Sequence, residues 1–171
     1  MTMLSLVNRL FDFYKKHKNP IKFYRNLGVQ IGQNCRLVGS VNFGSEPYLI
    51  KIGDHVSITS SSFITHDGAV WIFRKDNPNI DLIKPITLGN NIFIGSDCTI
   101  LPGVNIGDNV IVGANSLVNK SLESGYVYAG VPVKKIKSID DYWLGIKKEI
   151  NSTKNFSFEE KKSFYKEKYF K

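Results

Sequence analysis

Residues 88–123 read LGNNIF IGSDCT ILPGVN IGDNVI VGANSL VNKSLE. Each group of six opens on an aliphatic residue: Leu88, Ile94, Ile100, Ile106, Val112 and Val118. Four residues further on stand Ile92, Cys98, Val104, Val110, Ser116 and Leu122, all small or apolar. A period of six fits neither the 3.6 of a helix nor the unbroken alternation of a long strand. It fits a three-sided prism in which each side is a short strand followed by a bend. The first residue points inward, the fifth fills the corner from inside, and Gly, Asn or Asp takes the bend because these tolerate a positive φ best. Three sides make one coil of 18 residues, and successive coils pair strand on strand in parallel.

The pattern extends upstream. Ile31 and Leu37 open hexads, and after a slip of three residues so do Ile52, Ile58 and Ile64, making eleven hexads of which six have Gly second. Their fifth positions hold Cys35, Val41, Val56, Ser62 and Gly68. This frame places the hexads of Phe43, Ile64, Ile100 and Val118 on one face. Those of Ile58, Ile94 and Val112 share a second face, and those of Ile52, Leu88 and Ile106 the third. A sandwich with frequent turns is the alternative, and so many in-frame hexads argue against it. Cys35 and Cys98 both fall on inward fifth positions and read as core packing rather than reactive or metal-binding thiols.

Composition bounds the functions. The chain has 171 residues, 42% hydrophobic and 22% charged, which suits one globular domain with short appendages. No apolar run approaches a membrane span, and the start MTMLSLVNRLFDFYKKHKNP lacks a small-residue cleavage site, so the chain is read as cytoplasmic rather than secreted. Two cysteines fit a reducing compartment. The net charge of +8 sits in the arms: residues 1–30 carry +5, residues 133–137 carry +3 and residues 138–171 carry +2, whereas residues 31–132 carry −2. That distribution does not make a continuous basic groove, so nucleic acid is not an expected partner.

These hexads resemble the hexapeptide-repeat acyltransferases, whose fold is a left-handed parallel β-helix. The resemblance covers about residues 27–137. Its most specific element is Tyr128-Ala129-Gly130-Val131-Pro132-Val133-Lys134, similar to the segment that closes the coil in acetyl-CoA-dependent members. FGSEPYLIKIGDHV and THDGAVWIFR further resemble enzymes that O-acetylate capsular or exopolysaccharide sugars. The expected organisation is a helical arm over 1–30, a β-helix over 31–137 with an excursion loop near 70–85, and a helical extension over 138–171.

His66 stands just before the excursion, which holds Trp71, Phe73, Arg74 and Asp76-Asn77-Pro78. Its unperturbed pKa near neutrality suits the general base that takes a proton from a hydroxyl attacking a thioester. A surface histidine that merely supports the loop is the plain alternative. By register Glu46 lies one coil below on the same face and is the candidate to hold the other ring nitrogen. Asp67, following His66, projects to the other side and is placed to meet the acceptor or shape the loop, with Trp71 and Arg74 as further acceptor contacts.

Gly95-Ser96 and Gly113-Ala114 are one coil apart and stack along an edge that a thiol arm can approach closely. In the family, positions matching Ser96, Ala114, Asn119, Lys120 and Lys134 contact coenzyme A. Asn119 stands where Thr is frequent and Lys134 where Arg is frequent, which keeps the charge at Lys134 but not a bidentate fork. Lys135 and Lys137 extend that cluster. The plain alternative is a tight coil with solvated lysines.

Residues 3–18 read as a helix with Leu4, Val7, Leu10, Phe11 and Tyr14 on one stripe, ended by Pro20. It caps the open end of the prism or, on a sharper reading, rests its basic face on an anionic membrane. Residues 138–150 and 157–170 read as helices, the second opened by a capping box at Ser157-Phe158-Glu159-Glu160.

The expectation is an acetyl-CoA-dependent O-acetyltransferase acting on a sugar hydroxyl of a surface polysaccharide or its precursor, with no metal. The resemblance implies a homotrimer with the site between subunits. Rival readings are a small-molecule acceptor (serine, galactoside, maltose, an antibiotic or an amino sugar) and a non-catalytic β-helix scaffold. A zinc site on the same coil needs three convergent histidines, and His17, His55 and His66 do not stand on one face.

Overall fold

The computed structural model describes residues 16–171. The expected helix over residues 3–18, with its cap or membrane role, lies almost wholly outside the described residues. The described chain forms two compact units, one ending at Ile139 and one spanning Asp140–Lys171.

The first unit opens on α1 (Pro20–Asn26). The helix at residues 16–18 stops before Pro20, and the short helical turn expected around Phe23 and Tyr24 follows, opened by Pro20. Its fixed φ suits the first helical turn, and the Asn19 side chain accepts the Lys22 N–H at 2.9 Å. Tyr24 is buried, stands edge-on to Phe43 with ring centroids 4.6 Å apart, and donates its hydroxyl to the Val41 carbonyl. Arg25 Nη2 donates to the carbonyls of Ile31 and Gly32 at 2.7 Å, which occupies carbonyls at the edge of the first coil.

Twelve short strands then wind into three parallel sheets. The first holds β1 (Gln30–Ile31), β3 (Ile50–Ile52), β6 (Ile86–Leu88) and β9 (Asn105–Ile106). The second holds β2 (Arg36–Val38), β4 (Val56–Thr59), β7 (Ile92–Ile94), β10 (Val110–Val112) and β12 (Tyr126–Ala129). The third holds β5 (Ser62–Phe63), β8 (Thr99–Ile100) and β11 (Leu117–Val118). Ile31, Ile52, Leu88 and Ile106 stand in one register ladder, and Leu37, Ile58, Ile94 and Val112 in another. Nearly all are buried, and with Val56, Ile92, Cys98, Val104 and Val110 at the corners they form one continuous core.

The corners are local chemistry. Asn34, His55, Asn91 and Asn109 have φ between 54° and 56°, and Asp97 and Asn115 have 58° and 56°. Along the first sheet the third residues of the hexads tie coil to coil: Asp54 accepts the Gln33 N–H, Asn90 the Asp54 N–H and Asp108 the Asn90 N–H. His55 is one rung of a side-chain ladder, with Nδ1 2.8 Å from Asn91 Oδ1 and Asn91 Nδ2 2.7 Å from Asn109 Oδ1.

One side departs from the expected frame. The third sheet pairs Phe63, not Ile64, with Ile100, because the bend after β4 is one residue shorter than a hexad needs. Ser60 takes the positive φ, and Ser61 rather than Ser62 fills the corner, its hydroxyl donating to the carbonyls of Thr59 and Gly95. Phe63 is buried against Phe43, centroids 4.9 Å apart, and Ile64 is only partly buried. Gly68, expected at an inward corner, starts a 3-10 turn in the excursion. Cys98 is buried and burial pushes its thiol up, whereas Cys35, in the first coil, is partly exposed.

After β12 the chain folds back as β13 (Lys134–Ser138), antiparallel to it, with Ala129 opposite Lys134. The basic cluster is therefore a strand on the sheet edge. The second unit carries the rest of α2 (Ile139–Ile146) and α3 (Phe158–Phe170). Ser157 and Glu160 form the reciprocal capping box at the start of α3, and Thr153 Oγ1 lies 2.9 Å from Tyr165 Oη. No described helix is long and apolar enough to cross a membrane.

Candidate active site

The corner after β5 brings three side chains together. Phe63 and Thr65 point into the prism and His66 points out, as strand alternation requires. Asn42, in the coil below, bridges Ser62, which sets Glu46 beside Thr65 and His66. Glu46 Oε2 lies 3.0 Å from His66 Nδ1 and 2.6 Å from Thr65 Oγ1. The Glu46 side chain is 14% exposed and that of His66 44%. The Thr65 hydroxyl and then His66 hold the Glu46 carboxyl below its ordinary value, so it is a carboxylate at neutral pH. A carboxylate accepts only, so the neutral His66 ring carries its proton on Nδ1 and presents the Nε2 lone pair. Thr65 was not among the residues singled out from sequence. The frame that pointed Ile64 inward hid it, and the run of serines at 60–62 is the only local sign that the frame slips there.

The excursion is clamped at its base. His66 bridges Ile83 antiparallel, Asp67 N–H donates to the Leu82 carbonyl at 2.8 Å, and Lys84 N–H donates to the Thr65 carbonyl at 2.7 Å. Asp67 Oδ1 accepts the Ala69 N–H at 2.9 Å and so starts the 3-10 turn Gly68–Phe73. Trp71 and Ile72 on that turn are each 72% exposed. Arg74 Nη2 pairs with Asp81 Oδ1 at 2.6 Å, which closes the loop on itself.

The second set of residues lies along another edge. Asn115 N–H donates to the Ser96 carbonyl at 2.8 Å, which seats Ala114 beside Ser96. A Cβ on Gly95 would stand 2.5 Å from the Ala114 nitrogen, so the coils touch backbone to backbone there. A Cβ on Gly113 would meet Ala129, and Ala129 faces Lys134. Ser96, Ala114, Ala129 and Lys134 thus form one continuous line running up the prism. Ala114, Asn119, Lys120 and Lys134 are exposed. Lys135 is engaged elsewhere, 2.6 Å from Glu123 Oε2 and over the Tyr126 ring. Ser96 and Ala114 precede β8 and β11 of the third sheet, whereas Asn119 and Lys120 follow β11 as His66 follows β5, so it is the Ser96–Ala114 part that stands at the opposite end of that sheet from His66. Among the described residues no cluster of His, Cys, Asp and Glu is arranged to hold a metal ion.

Residues 85–120 match the family model described as bacterial transferase hexapeptide, six repeats. The chain is 51% identical over 148 residues to Protein CapG of Staphylococcus aureus, covering 85% of this chain and 86% of that one. It is 35% identical over 141 residues to the galactoside O-acetyltransferase of Escherichia coli, covering 80% and 68%. Among solved structures, a hexapeptide-repeat acetyltransferase of Vibrio cholerae in complex with acetyl coenzyme A superposes with a TM-score of 0.54 at 25% identity, over 69% of this chain and 75% of that one. Parallel coils, buried ladders and these matches lead to one conclusion: the chain belongs to the bacterial transferase hexapeptide family and stands among its acetyltransferases.

Proposed function

We propose that the protein transfers an acetyl group from acetyl-CoA to a sugar hydroxyl of a surface polysaccharide or its precursor, with His66 as general base. The observation that carries this reading is the bond between Glu46 Oε2 and His66 Nδ1 at 3.0 Å. It fixes the ring's proton on Nδ1 and leaves Nε2 free, on a half-exposed side chain, to take a proton from an incoming hydroxyl. Acetyl-CoA supplies the acyl group as a thioester. His66 Nε2 removes the hydroxyl proton as the oxygen forms its bond to the acetyl carbon and the carbon–sulfur bond breaks. The imidazolium, facing the Glu46 carboxylate, then returns that proton to the departing thiolate.

Ser96, Ala114, Asn119, Lys120 and Lys134 are proposed to hold the co-substrate. The backbone contact at Gly95 and the close approach of Ala129 at Gly113 keep the line narrow, and the lysines offer point charges for phosphates. Asp67, Trp71 and Arg74 lie on the excursion that begins at His66, where an acceptor would meet them. Ser96 and Ala114 stand at the opposite end of the third sheet from His66, so bringing an acetyl group held along them to His66 calls for a second copy, and we read the enzyme as a homotrimer with shared sites. Mixing His66→Ala subunits with Lys134→Glu subunits should then restore part of the activity that each has lost.

The test is thiol release from acetyl-CoA with a panel of sugars, nucleotide-sugars and small acceptors, comparing wild type with His66→Ala. Acceptor-dependent release that falls on the order of 10²-fold or more in His66→Ala supports the reading. Equal rates with a good acceptor would remove His66 from its role. The likeness to a galactoside O-acetyltransferase favours a second reading, a free small glycoside as acceptor, and the panel separates the two. Coenzyme A binding without turnover on any acceptor would leave an acceptor outside the panel, and no binding would indicate a scaffold.

A further inference from the structure

The carboxylate that holds His66 is itself held. Glu46 Oε2 receives two donors, Thr65 Oγ1 at 2.6 Å and His66 Nδ1 at 3.0 Å. Thr65 is wholly buried, at 0% exposure, so its hydroxyl has no water to turn to and keeps its protein partner. Its backbone carbonyl accepts the Lys84 N–H at 2.7 Å, so the same residue closes the base of the excursion. Glu46 has a backbone of its own to anchor it, immediately before the turn Pro47–Leu49, but that leaves the side-chain torsions open. Two donors converging on one oxygen determine where that oxygen sits.

We propose that Thr65 is a positioning residue for the His66 base. Its hydroxyl selects the Glu46 side-chain geometry in which one carboxylate oxygen faces Nδ1, and through it the ring tautomer that exposes the Nε2 lone pair. Thr65 touches no reacting atom and acts only through Glu46. The same hydroxyl is also the largest influence holding the Glu46 carboxyl ionised. The functional meaning rests on the reading of His66 as general base, but the tautomer itself is measurable without an acceptor.

The test is a long-range proton–nitrogen correlation of the histidine rings on 15N-labelled protein near pH 8. It compares wild type with Thr65→Val, which keeps the branched shape without a donor, and Thr65→Ser, which keeps the donor without the methyl group. Loss of one signal set in His66→Ala identifies the ring. Wild type and Thr65→Ser are expected to show His66 as a single Nδ1–H form. Thr65→Val is expected to lose that single form and shift toward the Nε2–H form that free imidazole prefers. An Nδ1–H signal unchanged in folded Thr65→Val, or an Nε2–H form in wild type, overturns the proposal. Should Thr65→Val not fold, Thr65→Ala carries the same two outcomes. With an acceptor in hand, Thr65→Val should lower kcat about tenfold with the acetyl-CoA KM unchanged, and Thr65→Ser should stay near wild type. Loss that Ser does not rescue marks a packing role and overturns it too. Undiminished turnover in His66→Ala would instead overturn the base assignment, leaving the tautomer measurement to decide Thr65 on its own.

Discussion

Glu46 and His66 stand twenty residues apart in sequence and 3.0 Å apart in space, Oε2 to Nδ1, one coil above the other. Phe43 and Phe63, each three residues earlier, are buried against each other in the core, ring centroids 4.9 Å apart. If that contact orients a general base, Glu46→Gln removes the obligate acceptor, because an amide can offer its NH2 to Nδ1 and hold the opposite tautomer. We expect kcat to fall on the order of 10²-fold or more with the acetyl-CoA KM near wild type, measured as acceptor-dependent thiol release.

The same carboxylate couples stability to pH. The Thr65 hydroxyl first, and His66 second, hold Glu46 below its ordinary value of 4.5 in the folded chain. The unfolded chain therefore takes up the proton first as the pH falls. The stabilisation is complete above the unfolded value and is lost as the pH drops through the lower, folded one. Thermal unfolding of wild type and Glu46→Gln should differ by about 1–2 kcal/mol near neutrality, and the gap should narrow progressively as the pH falls below 4.5. A gap independent of pH would contradict this account.

The frame of the third sheet can be read by truncation. Phe63 is 1% exposed and packs on Phe43, whereas Ile64 is only partly buried. Urea unfolding should show a loss of about 3–5 kcal/mol for Phe63→Ala and well under half of that for Ile64→Ala. The reverse order would restore the unbroken hexad frame.

Two glycines make opposite demands. At Gly95 a Cβ would stand 2.5 Å from the Ala114 nitrogen, so Gly95→Ala must push two coils apart and should lower stability by about 1–3 kcal/mol. At Gly145, in α2, nothing lies within 4 Å, and Gly145→Ala should raise helicity and add about 0.5–1 kcal/mol. Calorimetry and circular dichroism on the two variants check both signs.

Most of the fold was legible because each hexad states its own geometry. An aliphatic residue at the first position and a small or apolar one at the fifth specify which way the side chains face. The Asn and Asp at the bends name the residues that reach positive φ. Ile52, Leu88 and Ile106 fall in one ladder, and Leu37, Ile58, Ile94 and Val112 in another, because a constant period carries the register forward without long-range information. His66 was visible as a histidine at the root of the longest break in the pattern. Lys134 was visible as charge beside the coil's closing segment, although its place in an antiparallel strand was not.

The sequence alone therefore determined the repeat, the inward ladders, the capping box of α3 and the residue types available for chemistry, all of which depend on neighbours a few positions apart. The partners of those residues were decided by the tertiary structure. A bend one residue short between Thr59 and Ser62 moved Phe63 into the core and brought Thr65 in behind it, where its hydroxyl meets the Glu46 carboxylate that register had already placed beside His66. The run of serines marks where such a slip can fall but not whether it does, since any of them can take the corner. Only the packing of Phe63 on Phe43 and the pairing with β8 make one choice lower in free energy than the other.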